Sequence, residues 1–195
     1  MKNYFTGDWY SDLCMLECIV MDLEFYSGSE RKYKCDGKHT KNMGSMLYGI
    51  TWRQRASYQK QRELDSESGM YKTKIYEEEP ELKAIFKEFS QLYFPEFDYL
   101  QIQMNKNFKI LPHFDSKNAG ISKLISFGDY SGGNTRVAYD DNKMVDYDSR
   151  DCVVSFDGSK YKHWVQPFSG TRYSLVFFSN SYLLKRIAKR NALLV

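Results

Sequence analysis

The stretch Leu100 to Phe127, LQIQMNKNFKILPHFDSKNAGISKLISF, changes the periodicity of the chain. Leu100, Ile102 and Met104 alternate with Gln101 and Gln103, a two-residue repeat that sends successive side chains to opposite faces of a strand. Strand-like runs recur at Ile121–Phe127, Thr135–Tyr139, Cys152–Phe156 and Tyr173–Phe178. Between them lie Ser131-Gly132-Gly133-Asn134, Asp140-Asp141-Asn142 and Asp157-Gly158, residues that tolerate tight or left-handed backbone. Short strands at this spacing predict an antiparallel sandwich or barrel such as a jelly roll.

The expected fold class is therefore mainly β with flanking helices (α+β). A single domain is expected over 1–195, with strands and supporting helices in 1–98, the β core in 99–180 and a helix in 181–195. Upstream of the core, Leu82, Ile85, Phe86, Phe89 and Tyr93 fall on one helical face, opened by Pro80 and stopped before Pro95. Met46 to Trp52, MLYGITW, reads as a strand. Before it the signals are mixed: apolar alternation around Cys18 to Phe25, then a polar stretch from Ser27 to Gly44. At the far end, YLLKRIAKRNALLV (182–195) separates Leu183, Leu184, Ile187 and Ala188 from Lys185, Arg186, Lys189 and Arg190, a helix with one apolar and one basic side.

Composition narrows the function classes. The net charge is +3 and aromatic residues make up 16% of the 195 residues, which argues against disorder and for pleated structure. Four cysteines without paired CxxC spacing make neither a disulfide framework nor a zinc site, so reduced, buried structural thiols in an intracellular, soluble protein (cytoplasmic or nuclear) are expected. No segment reaches the ~20 apolar residues of a membrane span. Arg31 to Lys74 carries eleven Lys or Arg against four Asp or Glu, interleaved with Tyr48, Trp52, Tyr58 and Tyr71. Such a pattern suits a solvated basic face, or DNA or RNA as a partner.

Two of the three histidines stand in informative places. His113 and Asp115 flank Phe114, and a strand running on from Met104 would aim both at one side of the sheet. Imidazole and carboxylate together suit a divalent first-row metal, and two His with one carboxylate form a facial triad that leaves the opposite positions open. His163 is the candidate third ligand, since the competitor His39 sits in a polar loop. Nine residues on, Arg172 opens RYSLVFF, whose period of two puts Arg172, Ser174, Val176 and Phe178 on one face. A guanidinium inside an apolar barrel needs an anionic partner, either a local Asp or a bound diacid gripped by Arg172 with help from the Ser174 hydroxyl. Gln103, Asn105 and Asn107 precede the first ligand at even spacing and would share its face.

The order His113-Phe-Asp115, His163, Arg172-Tyr-Ser174 resembles the Fe(II)/2-oxoglutarate-dependent dioxygenases over about Leu100 to Asn180. The resemblance implies a double-stranded β-helix core, Fe(II) on His113, Asp115 and His163, 2-oxoglutarate on Arg172 and Ser174 with Asn105 and Gln103 nearby, and O2 as co-substrate. HWVQPFSGTRYS (163–174) is similar to the prolyl hydroxylases; HFDSKNAGIS (113–122) with Gly132-Gly133 is similar to the TET/JBP group, which oxidises thymine or 5-methylcytosine. The latter likeness makes Asn118 and Ser122 candidate substrate contacts, to which even spacing adds Asn107, and a nucleobase methyl group the expected substrate, with peptidyl hydroxylation and a binding module without turnover as alternatives.

Overall fold

The computed structural model describes residues 3–25, 42–51, 63–65, 70–140 and 142–192. Trp52, Tyr58, Cys35 and His39, and with them most of the basic stretch that begins at Arg31, lie outside the described residues. Tyr48 within that stretch is buried against Tyr76 and Phe86, so its ring is core.

Antiparallel sheets with a few helices make up the described chain. In order, the elements are α1 (Trp9–Met21), β1 (Gly44–Thr51), β2 (Glu63–Asp65), β3 (Met70–Lys72), α2 (Lys74–Glu78), α3 (Glu81–Tyr93) and β4 (Gln101–Lys106). There follow β5 (Ser122–Phe127), β6 (Tyr130–Gly132), β7 (Thr135–Ala138), β8 (Met144–Tyr147), β9 (Val154–Phe156), β10 (Lys162–Val165), β11 (Phe168–Gly170), β12 (Tyr173–Phe178) and α4 (Ser181–Ala192). A seven-stranded sheet runs β2-β3-β1-β4-β12-β5-β9, beside a three-stranded sheet β10-β7-β8 and the pair β11-β6.

The large sheet is buried on both faces, for different reasons. Ile102 and Met104 of β4, Leu175 and Phe177 of β12, and Ile125 and Phe127 of β5 point toward the helices, where Leu16 and Val20 of α1 and Phe86 and Phe89 of α3 complete the main core. On the other pleat Gln103 pairs in register with Val176 and Leu124 beyond it, and Asn105 with Ser174. These residues face the smaller sheet, and Leu124, Val137 and Phe156 form a second apolar cluster there. Gln101, Gln103 and Asn105 are all buried, so the polar half of the repeat marks an interior face.

Helix α3 follows its sequence pattern, with Leu82, Ile85, Phe86 and Phe89 buried. The mixed N-terminal signal resolves as α1, capped by Asp8, whose side chain accepts from Ser11 N at 2.9 Å. Asp12, buried in its first turn, accepts from Thr6 N, Thr6 Oγ1, Gly7 N and Tyr93 Oη at 2.6–2.8 Å, tying the N-terminal segment to α3. Cys14, Cys18 and Cys152 are exposed thiols, which corrects the expectation of buried cysteines: α1 turns its Leu13, Leu16 and Val20 side inward and leaves Cys14 and Cys18 on the outer side. Leu183 is the buried residue of helix α4 among the described residues, and Asn180 Oδ1 caps the helix by accepting from Tyr182 N at 3.0 Å and Leu183 N at 3.3 Å. Among the described residues no helix is long and apolar enough to cross a membrane.

Candidate metal centre

Strand β4 ends at Lys106, because Asn107 turns into the left-handed region at φ 55°. His113 is therefore not a continuation of β4, as period-two reasoning had it, but is held by an isolated antiparallel bridge to β10. His113 N donates to His163 O and His163 N donates to His113 O, both at 3.0 Å. The bridge sets the imidazoles side by side, with ring centroids 4.3 Å apart. Asp115 lies in the following turn, fixed by its N–H donating to Gly158 O at 2.7 Å.

Carboxylate and imidazoles converge. Asp115 Oδ1 lies 3.5 Å from His113 Nε2, and Asp115 Oδ2 lies 3.6 Å from His163 Nε2. One ligand atom from each of the three falls within 4.8 Å of the others. The outer ring nitrogens decide the tautomer. His113 Nδ1 is 2.8 Å from Leu111 O and His163 Nδ1 is 3.1 Å from Tyr161 O. A carbonyl oxygen only accepts, so each Nδ1 carries the proton, and each ring turns its Nε2 toward the carboxylate. A divalent ion between them would take one lone pair from each Nε2 and one oxygen from Asp115. Nitrogen and oxygen donors in this ratio fit Fe(II) or a similar divalent ion. The backbone carbonyls of Leu111 and Tyr161 thus orient both rings. Phe156 packs at 4.9 Å from the His163 ring, and a Cβ on Gly158 would come within 2.8 Å of His163 Cε1.

His113, Asp115 and His163 line a cleft whose walls also hold Arg172. The Arg172 side chain is 3% exposed. Its guanidinium lies between the rings of Tyr130 (5.5 Å) and Phe168 (5.9 Å), and Nη2 donates to Ser149 Oγ at 3.4 Å. Among the described residues it forms no ion pair, and Nε has no partner. The local-Asp reading thus lacks a carboxylate in contact. Burial pushes this guanidinium below the ordinary arginine value, although arginine keeps its charge in proteins. Three buried side-chain polar atoms lack a partner among the described residues, and two of them, Arg172 Nε and Thr135 Oγ1, belong to residues lining this cleft. Polar groups so placed favour an anionic, hydrogen-bonding occupant.

The remaining sequence candidates divide. Ser174 lines the cleft, and its Oγ accepts from Asn105 Nδ2 at 3.3 Å. Asn105 also lines it, accepting from Ser45 Oγ at 2.8 Å. Gln103 reaches the cleft, but its amide already donates to Met46 O at 2.6 Å and Ser45 Oγ at 2.9 Å. Asn118 lines the cleft beside Asp115, its Nδ2 at 3.5 Å from both Asp115 Oδ2 and Ser122 Oγ. Ser122 is buried behind Asn118 and is not part of the lining. Asn107 also stands outside it: Oδ1 accepts from Arg172 N at 2.8 Å and Nδ2 donates to Asn42 O, so it braces the backbone of the arginine. Trp164 also contributes to the lining.

Sequence reasoning missed Tyr130, Phe168, Ser149 and Thr135. They come from short strands and a loop without periodicity. The one available signal was the glycines: Gly133, at φ 78°, brings its backbone so near Arg172 that a Cβ would lie 3.1 Å from Cδ.

No family model matches the chain, and no curated protein matches it by sequence. Solved structures do match. An oxidoreductase of the 2OG-Fe(II) oxygenase family from Burkholderia pseudomallei aligns with TM-score 0.53 and 15% identity, covering 87% of this chain and 80% of its own. A Pseudomonas putida prolyl-4-hydroxylase aligns at TM-score 0.43 and 14% identity over 92% of this chain and 90% of its own. NgTET1 in complex with 5mC DNA aligns at 0.47 and 20% identity over 72% and 61%. With the Burkholderia structure superposing over most of both chains, the fold of this protein is that of a 2OG-Fe(II) oxygenase.

Proposed function

We propose that this protein is an Fe(II)- and 2-oxoglutarate-dependent dioxygenase that hydroxylates a C–H bond, and that the bond belongs to a nucleobase methyl group, thymine or 5-methylcytosine. One observation carries the enzymatic reading: a cleft that gathers the Nε2 atoms of two imidazoles and a carboxylate, together with a buried guanidinium that has no carboxylate in contact among the described residues. The strands from β4 to β12 are read as a double-stranded β-helix around it.

His113, Asp115 and His163 would hold the metal. Bound Fe(II) supplies the chemistry that couples O2 and 2-oxoglutarate to R–H, giving succinate, CO2 and R–OH. The chain's own side chains do the rest. Arg172 grips the distal carboxylate of the diacid, because a planar fork of donors matches a carboxylate in two bonds. Ser174 and Thr135 offer hydroxyls on the same walls. Leu124, Val176, Phe156 and Ile110 keep the cleft poor in water, which strengthens these contacts. Asn118 steadies Asp115 and presents its amide to the cleft. An amide with both donor and acceptor suits a base edge, and the likeness of residues 113–122 to the nucleobase oxygenases supports that substrate.

Aerobic succinate release that requires both Fe(II) and 2-oxoglutarate, and is lost in a folded His113→Ala protein, tests the activity. A binding module without turnover releases none. Mass spectrometry after incubation with thymine- and 5-methylcytosine-containing DNA, RNA and proline-containing peptides tests the substrate. A gain of one oxygen on the peptide and none on nucleic acid refutes the nucleobase assignment.

A further inference from the structure

The segments that frame the cleft differ in charge from the rest of the chain. Residues 108–121 carry two ligands, residues 157–166 carry the third, and residues 180–192 contain α4. Together they hold eight of the 28 Lys and Arg, namely Lys109, Lys117, Lys160, Lys162, Lys185, Arg186, Lys189 and Arg190. They hold two of the 25 Asp and Glu: the ligand Asp115, and Asp157, whose Oδ1 accepts from the Ser159 hydroxyl and the Lys160 N–H. The other segments are left with 20 basic against 23 acidic residues, so the excess of positive charge belongs to the frame of the site.

The geometry joins α4 to that frame. Ser181 N donates to Lys117 O at 2.9 Å, Ala119 N donates to Ser179 O at 2.8 Å, and Asn118 bridges to Asn180. Asn118 in turn contacts Asp115. The helix therefore starts one residue from a side chain that touches a metal ligand. From there it carries Lys185, Arg186, Lys189 and Arg190 outward on exposed positions with no acidic residue among them. Apolar surface is exposed at the same edge. Phe114, between the two ligands of its loop, is 48% exposed with Lys162 Nζ 6.0 Å from its ring centre, and Leu111 and Ile121 are exposed nearby in sequence.

The geometry points to this face, α4 together with Phe114 and Lys162, as a docking surface for a nucleic-acid strand, with α4 tracking phosphates and the Phe114 ring stacking on a base beside the cleft. The inference rests on the dioxygenase reading only for which base is presented, not for the docking itself. Charge complementarity selects a polyanion. An exposed ring with the Lys162 cation beside it selects bases over other anionic groups, because every base offers a flat face for stacking. A lipid surface fits less well: insertion of α4 would need its apolar side, and Leu183 is fully buried in the fold.

The test is fluorescence anisotropy of a labelled single-stranded oligonucleotide titrated with the full chain at several salt concentrations, for the wild type and for K185E/K189E. Each lost phosphate contact lowers the slope of log affinity against log salt by ~0.7 on single strands, so the double variant should lose about 1.4 in slope and about tenfold or more in affinity at low salt. Phe114→Ala should weaken binding with little change in slope. Any of three results overturns the proposal: no binding by the wild type, a double variant that binds as the wild type does, or equal affinity for polyglutamate or phosphatidylserine vesicles. Succinate release without oligonucleotide is measured in parallel and should be the same in the wild type and K185E/K189E. If neither protein releases succinate while the salt slopes differ as stated, the dioxygenase reading fails and the docking surface stands.

Discussion

Replacing Arg172 by methionine isolates the anion-binding end of the cleft. A charge that is 3% exposed and has no carboxylate in contact costs the fold several kcal/mol in lost hydration. Against this stand two aromatic contacts, at 5.5 and 5.9 Å, worth about 0.5–2 kcal/mol each, and a 3.4 Å hydrogen bond to Ser149 worth about 1 kcal/mol. Methionine keeps much of the volume and drops the charge, so the variant without co-substrate should be more stable by about 1–3 kcal/mol. For a chain of this length that is a rise of roughly 2–12 °C in Tm. Wild-type protein with Mn(II) and 2-oxoglutarate at about 100 times Kd should gain ~2.7 kcal/mol, or roughly 5–11 °C, and the variant should gain nothing from the diacid. Thermal unfolding followed by circular dichroism, with and without 2-oxoglutarate, reads both effects. A variant that melts below the wild type and keeps the full 2-oxoglutarate shift would falsify the reasoning, because Arg172 would then be a structural cation with its partners inside the fold.

Further expectations follow from the same geometry. His163→Ala should abolish Mn(II) binding in titration calorimetry while the protein remains folded, and acidification should weaken wild-type binding because a protonated imidazole has no lone pair to give. Gly158→Ala forces a Cβ to within 2.8 Å of His163 Cε1; metal affinity should fall about 10–100-fold, and an unchanged isotherm would show that the ring can shift freely. Asp12→Ala removes the acceptor of four hydrogen bonds, three from Thr6 and Gly7 and one from Tyr93 of α3, and should cost about 2–4 kcal/mol in urea unfolding. Burial raises the Asp12 pKa, but the Thr6, Tyr93 and Gly7 hydrogen bonds outweigh it and hold the carboxyl below its ordinary value. Its folded value being the lower one, the stabilisation is complete above the unfolded carboxylate range and fades as pH falls through that range toward the folded value; the wild-type advantage over Asp12→Ala should therefore shrink below about pH 4.

How much was legible depended on how local the cause was. Helix α3 could be read residue by residue, since one buried face repeats within the helix itself and prolines bracket it. Helix α1 could not, because exposed Met15 and Met21 and half-buried Ile19 spread apolar residues around its circumference and blur the period. The alternation in β4 was visible, but its meaning was not: Gln103 and Asn105 are the polar members of a repeat that faces an interior cleft. The cradle of Arg172 left almost no trace, since Tyr130, Ser149 and Phe168 come from three separate short segments.

By itself the sequence determined the residue types and order of the candidate site, His113, Asp115, His163 and Arg172, and the two-residue repeat that makes the core a β structure, because both are properties of the chain read in one dimension. Tertiary structure alone decided that His113 is held by β10, that both imidazoles turn Nε2 toward Asp115, and that Arg172 is enclosed with no carboxylate in contact among the described residues. Each of those depends on backbone carbonyls, strand edges and aromatic faces from segments tens of residues apart, whose meeting is set by packing.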